Sequence, residues 1–330
     1  MTEPMRWAIL GTGKIANRFA YALNNIPERA ELLAVGSRSQ ESGGAFARKH
    51  IIPRVHVGYE NVVADPEVDI VYIGTPGVFH LRDIKMCLEA GKHVLCEKVI
   101  TMNAAQTEEA IRLAREKNLF LMEAMWTRFF PIHIRVRELL AEGAIGEVLG
   151  LDARFIATVP YDLNNRFFDV SLGAGVLLDL GSYGIAWAYS VLGEPEAVTG
   201  LTHFGESGAD YQSGIVFMTA SGQIATIHNC QVGYDSKEAV VFGTQGKIDL
   251  HAPWYKPTAM TVHIAGKEPE LVEMPLGSFN GYEYEAIEVM ECIQAGKTES
   301  DVIPLDESLA IVKTLDDLRE QWGITYPSER

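Results

Sequence analysis

At 330 residues the chain is longer than a single hydrophobic core ordinarily supports, and 47% hydrophobic against 22% charged residues is a globular composition that excludes disordered, collagenous and membrane-embedded classes. A net charge of −16 with no basic cluster argues against a nucleic-acid partner, because phosphate backbones are held by grouped Lys and Arg. Residues 1–124 carry 15 basic and 15 acidic groups and 125–330 carry 13 and 29, so the acidic surplus is C-terminal and a domain boundary is expected near 124.

In chain order, short apolar runs at 7–10, 32–35, 70–73, 94–96 and 119–122 alternate with helical spacing at 15–25, 41–50, 80–90 and 103–117. Such βαβ alternation predicts a parallel, doubly wound sheet with right-handed crossovers. Beyond Trp126 one helix at 131–140 gives way to alternating strands at 147–158, 197–206, 211–219, 223–232, 238–242 and 259–264, with turn signals at Ser221-Gly222, 243–246 and Gly266-Lys267. Helices at 179–192, 282–295 and near 305–321 complete the pattern and suffice to cover one sheet face. The expected fold class is therefore α/β: a doubly wound N-terminal domain over 1–124, then an α/β domain over 125–330 on an open, mainly antiparallel sheet.

The run at 7–10 is too short for a signal sequence, and the most apolar later stretch, 176–192, contains Asp179 and two glycines, so neither a signal nor a membrane span is expected. Cys87, Cys96, Cys230 and Cys292 lack CxxC or ligand-like spacing, which suits buried thiols in a reducing cytoplasm. With no HExxH motif and no His/Cys cluster, no metal site is expected.

Gly11-Thr12-Gly13-Lys14-Ile15-Ala16 follows the first strand and opens the first helix, the setting in which a GxGxxA pattern cradles a pyrophosphate. Gly11 permits the turn, Gly13 lets the backbone approach the anion, and the helix N-terminus supplies N–H donors. After the second strand, where an NAD enzyme usually offers a carboxylate to the ribose, the chain has Ser37-Arg38-Ser39. Arg38 can bond a 2′-phosphate, so NADP is the expected cofactor and NAD the lesser alternative.

Further along stand Thr75-Pro76 with His80, Glu97-Lys98, the run MEAMWTRFFP from Met122 to Pro131, GAGVLLDLGSY from Gly173 to Tyr183, and GTQG at 243–246. Together these resemble the Gfo/Idh/MocA oxidoreductases over nearly the whole chain, closest to the branch holding dimeric dihydrodiol dehydrogenase and NADP-dependent xylose dehydrogenase. The resemblance implies a Rossmann domain and hydride transfer between nicotinamide and a neutral sugar, polyol or trans-dihydrodiol. Lys98 and Tyr183 are then the candidates to exchange the hydroxyl proton, with Asp179, one helical turn before Tyr183, orienting the site. Thr75, Pro76, His80, Glu97, Lys98, Trp126 and Arg128 join the phosphate loop as cofactor contacts, and Trp126 and Phe155 wall the substrate. Two departures stand out: Val99 replaces the family's usual Pro, often preceded by a cis bond, and Gly77 replaces its usual Asn.

Two rival functions fit the same fold. Retention of Lys98, Asp179 and Tyr183 argues against a non-catalytic NADP sensor, and Tyr183 where a His is more usual argues against a redox-assisted glycosidase. Strand 223–232 places Ile224, Thr226, His228, Cys230 and Val232 on one face and Ala225, Ile227, Asn229 and Gln231 on the other, both semi-apolar. An open sheet face of that character is expected to pair with a second copy in a two-fold dimer, which a charge at Ile227 should dissociate.

Overall fold

A computed structural model describes residues 3–163 and 165–329. The elements run β1 (Met5–Leu10), α1 (Lys14–Asn24), β2 (Ala30–Ser37), α2 (Gln40–His50), β3 (Arg54–Val57), α3 (Tyr59–Val63), β4 (Ile70–Ile73), α4 (His80–Glu89), β5 (His93–Glu97), α5 (Ala104–Lys117) and β6 (Leu121–Ala124). There follow α6 (Pro131–Ala141), β7 (Val148–Thr158), α7 (Ser182–Leu192), β8 (Ala197–Phe204), β9 (Asp210–Met218), β10 (Ile224–Cys230), β11 (Val232–Ser236), β12 (Ala239–Gly243), β13 (Gly246–Leu250), β14 (Ala259–Ile264), β15 (Glu270–Glu273), α8 (Tyr282–Gln294) and α9 (Leu305–Trp322). They divide between two compact units, Met1–Trp126 with Leu276–Leu309, and Thr127–Pro275 with Ala310–Arg330.

In the first unit six parallel strands lie in the order β3-β2-β1-β4-β5-β6. Strands buried on both faces read as continuous apolar runs, and Trp7, Ala8, Ile9 and Leu10 of β1 are fully buried. The order reverses between β1 and β4, and in such sheets ligands bind beyond the carboxyl ends at the reversal. Ser39 caps α2 by accepting the Ser42 amide at 3.2 Å, and Asn103 caps α5 from the Gln106 amide at 3.0 Å.

A single cut near 124 does not describe this unit, because the segment 276–309 packs with it. Helix α8, expected over the second sheet, instead lies against α1: Asn25 donates to Glu283 at 2.9 Å and Arg29 pairs with Glu291 at 2.8 Å. The two short elements β3 and α3 were also outside the expected pattern.

The second unit is built on a nine-stranded sheet, larger than the six strands expected, in the order β15-β14-β13-β12-β7-β10-β9-β8 with β11 alongside β7. Every pairing is antiparallel except β7 with β10. Helix α7 covers one face, its Gly184 leaving room for Ile227 of β10, whose Cγ2 stands 2.5 Å from where a Cβ would sit. Ile227 is thus core, 2% exposed, and a charge there tests folding, not association. On that side, too, Trp254 is fully buried with His133 and Trp187, and Trp322 donates to the Gly200 carbonyl at 2.9 Å. The other face shows Leu201, Val216, Met218, Ile224 and Phe242 to solvent.

Val170–Leu192 is long and apolar enough to cross a membrane by length and composition alone; 61% of its most apolar window is buried inside the protein, as in a core helix. All four cysteines are buried and free.

Candidate functional site

At the carboxyl end of β1, Gly11 adopts φ +100°, and a Cβ there would sit 3.1 Å from the Gly74 carbonyl. Only glycine combines that backbone with so close an approach. Gly13 caps α1 with extended backbone and no side-chain bond, and nothing lies within 4 Å of where its Cβ would be. Space is thus open beside Gly13 at the head of α1, where a helix offers its unpartnered amides and a pyrophosphate fits. Thr12 and Ile15 are half-buried and Lys14 exposed around it.

Of Ser37, Arg38 and Ser39 at the end of β2, Arg38 stands exposed. The serines have local employment: Ser37 is buried with its hydroxyl 2.5 Å from Ser42, and Ser39 is the α2 cap. Among the described residues no cluster of three or more His, Cys, Asp or Glu side chains could hold a metal.

Lys98 follows β5 directly and begins a cis peptide to Val99. Its neighbours are fastened on three sides. Tyr72 donates to Glu97 at 2.5 Å, a ring nitrogen of His80 lies 2.9 Å from the Val99 carbonyl, and the Ile100 amide donates to Glu123 at 3.0 Å. The other His80 nitrogen is 2.9 Å from the Thr75 carbonyl, and Thr75 itself donates to buried Asp83 at 2.7 Å. His80 is 1% exposed, with burial lowering its pKa against the pull of those carbonyls. Both its nitrogens are engaged by the protein, so His80 braces the strand ends where a cofactor contact was expected. Pro76 is half-buried in the same turn.

Behind Glu97 lies a group the motifs did not reveal. Glu285 of α8 is fully buried and neither carboxyl oxygen has a hydrogen-bond partner. Burial first, and then the charge of Glu97, raise its pKa well above the ordinary value. Tyr282, one turn earlier, stacks on Trp126 with centroids 4.1 Å apart and 11° between planes, and Tyr72 stacks on Phe19 at 3.8 Å. Trp126 is accordingly 4% exposed. A glutamate on the apolar face of 282–290 was the available signal.

This carboxyl ties stability to pH. The unfolded chain releases the Glu285 proton in the ordinary carboxylate range while the folded chain retains it, so its contribution is full below that range and declines as pH rises toward the folded pKa. Glu285→Gln keeps the shape without the ionisation. Its thermal midpoint should match the parent in acid and exceed it increasingly at alkaline pH; parallel curves would remove Glu285 as the cause.

In the second unit Leu177–Gly181 forms a π turn that runs straight into α7. Asp179 lies in the π turn and Tyr183 in the first turn of α7, so the single α-helical face expected for the pair is interrupted between them. π turns of this kind recur at functional sites. Asp179 is partly exposed, 4.0 Å from Arg166. Tyr183 is 9% exposed and joins Phe155 at 5.6 Å and Tyr255 at 5.8 Å between ring centroids, while Phe155 stacks on Tyr255 at 4.4 Å. Lys237 sits 6.0 Å above Phe155. Tyr255 and Lys237 are additions to the expected set. Arg128 is buried and donates to the Ala186 carbonyl of α7 at 2.8 Å, which makes it a strut of this unit where a cofactor or substrate contact was expected.

Comparison with known proteins agrees with this geometry. Residues 5–125 match a family model described as GFO_IDH_MocA, an oxidoreductase family with an NAD-binding Rossmann fold, and residues 133–249 match the GFO/IDH/MocA C-terminal domain. The trans-1,2-dihydrobenzene-1,2-diol dehydrogenase of Xenopus laevis is 36% identical over 334 residues, covering 98% of this chain and 99% of its own. A 3-ketoreductase from Actinomadura kijaniata, solved in complex with NADP and TDP-benzene, is 26% identical with a TM-score of 0.85 over 96% of this chain and 97% of that one. Levoglucosan dehydrogenase in complex with NADH and levoglucosan, 18% identical, shares the fold at a TM-score of 0.89 over 98% and 100%.

Proposed function

The chain belongs to the GFO/IDH/MocA family of oxidoreductases, and from that membership we propose that it is an NADP-dependent dehydrogenase or reductase of a neutral sugar, polyol or trans-dihydrodiol. The observation that carries the reading is Lys98, set beyond β5 between the Glu97 carboxylate, which accepts from Tyr72, and backbone groups of Val99 and Ile100 held by His80 and Glu123. Such restraint is what a proton-transferring side chain needs to be held in place. The name of the Xenopus laevis relative supports the diol class, and the acidic surplus of residues 125–330 disfavours an anionic substrate.

The N-terminus of α1 with Gly11, Thr12, Gly13, Lys14 and Ile15 would hold the pyrophosphate, Arg38 and Ser37 the 2′-phosphate side, and Thr75, Pro76 and Glu97 the nicotinamide end. Bound nicotinamide supplies the hydride acceptor or donor. Lys98 at Nζ and Tyr183 at Oη take or return the hydroxyl proton, Asp179 orients the site, and Phe155 and Trp126 supply apolar surface. A panel of aldoses, polyols and trans-dihydrodiols followed by NADPH absorbance should show turnover with at least one; cofactor binding without turnover on any would favour the sensor reading.

We also propose a cytoplasmic homodimer joined through the open sheet face, supported by the buried free cysteines and by the exposed Leu201, Val216 and Ile224. Light scattering should report about twice the chain mass. Val216→Lys, on that face and outside the core, should halve it while leaving the fold intact, and an unchanged mass would place the interface elsewhere.

A further inference from the structure

Asp210, at the start of β9, is 1% exposed and faces the segment that carries Asp179 and Tyr183. Its Oδ2 accepts the Leu177 amide at 2.7 Å, and the Val176 amide also hydrogen-bonds to it. These are the amides at the head of the π turn, where a helix has N–H groups without partners of its own. Gly175 makes the approach possible: its φ is +147°, and a Cβ there would fall 1.9 Å from Asp210 Oδ1. Helix heads are ordinarily capped from their own sequence, but here the cap comes from a strand of the sheet.

We propose that Asp210 is a positioning residue for the reaction, its carboxylate clamping the head of the π turn and thereby setting where Asp179 and Tyr183 stand. This inference rests on the role proposed for Tyr183. Around the clamp stand Tyr326, whose hydroxyl is buried without a partner and borders Gly175, then Arg319 and Glu329 beyond Tyr326, and Asp179 with Arg166 on the π-turn side. Burial raises the Asp210 pKa to about 7, with the amides of Leu177, Asp210 and Val176 working the other way. Above that pH the carboxylate holds both amides. Below it one oxygen carries a proton and the clamp weakens.

Two measurements test the assignment. In the native protein, amide exchange of 175–178 read by mass spectrometry and corrected for intrinsic rate should lose protection as pH falls through about 7, whether or not any substrate is known. In Asp210→Asn that step should be absent, kcat should fall about 10- to 100-fold with the KM for NADP unchanged, and the acid limb of the kcat profile near neutrality should flatten. Exchange of 175–178 that is pH-independent in the native protein and unchanged in Asp210→Asn overturns the clamp. A clamp that opens as described, with kcat and its acid limb identical in Asp210→Asn, overturns the positioning role. Should Tyr183→Phe prove fully active while the exchange step is present, the proposed role of Tyr183 fails and the clamp stands as structural only, which also overturns this inference.

Discussion

Tyr183→Phe is expected to lower kcat by about 10²–10⁴, the usual loss when a general acid–base group is deleted. The substitution removes one oxygen and leaves the ring in its contacts with Phe155 and Tyr255, so the thermal midpoint should hold. NADP affinity should hold as well, because the phosphate cradle is built from α1 and β2 of the other unit. Lys98→Ala is expected to cost kcat in the same range. Its backbone is placed by bonds to Glu97, Val99 and Ile100, none of which needs the Lys98 side chain. Steady-state kinetics on the best substrate decide both. Parental turnover by Tyr183→Phe would move the proton to Lys98 alone, and parental turnover by both variants would end the proposed chemistry.

Arg38→Ala should weaken NADP by about 1.5–3 kcal/mol, the worth of a hydrogen bond to a charged partner, while leaving NAD nearly untouched. The expectation falls on Arg38 because the neighbouring serine hydroxyls are occupied with Ser42 and the α2 cap. No carboxylate stands at the end of β2 to favour the NAD ribose. Fluorescence titration of the parent and variant with both cofactors measures the difference; equal losses would show that Arg38 does not read the 2′-phosphate.

Much of the architecture was legible because buried parallel strands leave continuous apolar runs, and β1, β4 and β5 announce themselves that way. Strand β3 and helix α3 did not, being four and five residues long and only partly buried, too short for any period to emerge. Alternation sorted residues 224–229 correctly into two faces, but it could not say that the strand ends at Cys230 and β11 begins at Val232, nor which face is covered. That choice is made by Gly184 on α7, a residue remote in sequence. The placing of Gly11 and Lys98 at strand ends was readable since each directly follows a strand marked by an apolar run. Asp210, Glu285 and Tyr255 were not, because each acquires its setting from a chain segment far away. The spacing of Asp179 and Tyr183 also concealed the π turn, as residues four apart suit either helix type.

The return of 276–309 to the first unit has a consequence for biosynthesis. A ribosome delivers β1 to β6 early, yet α8, which closes on α1 and brings Tyr282 and Glu285 to the Tyr72–Glu97 pair, emerges only after all nine strands of the other unit. The cofactor-binding half is thus the first begun and cannot be completed until the nascent chain is nearly whole, an exposure that domains folding strictly in order of synthesis avoid. Premature termination anywhere in 276–309 would leave the N-terminal unit without its closing helices and the other unit without 310–330.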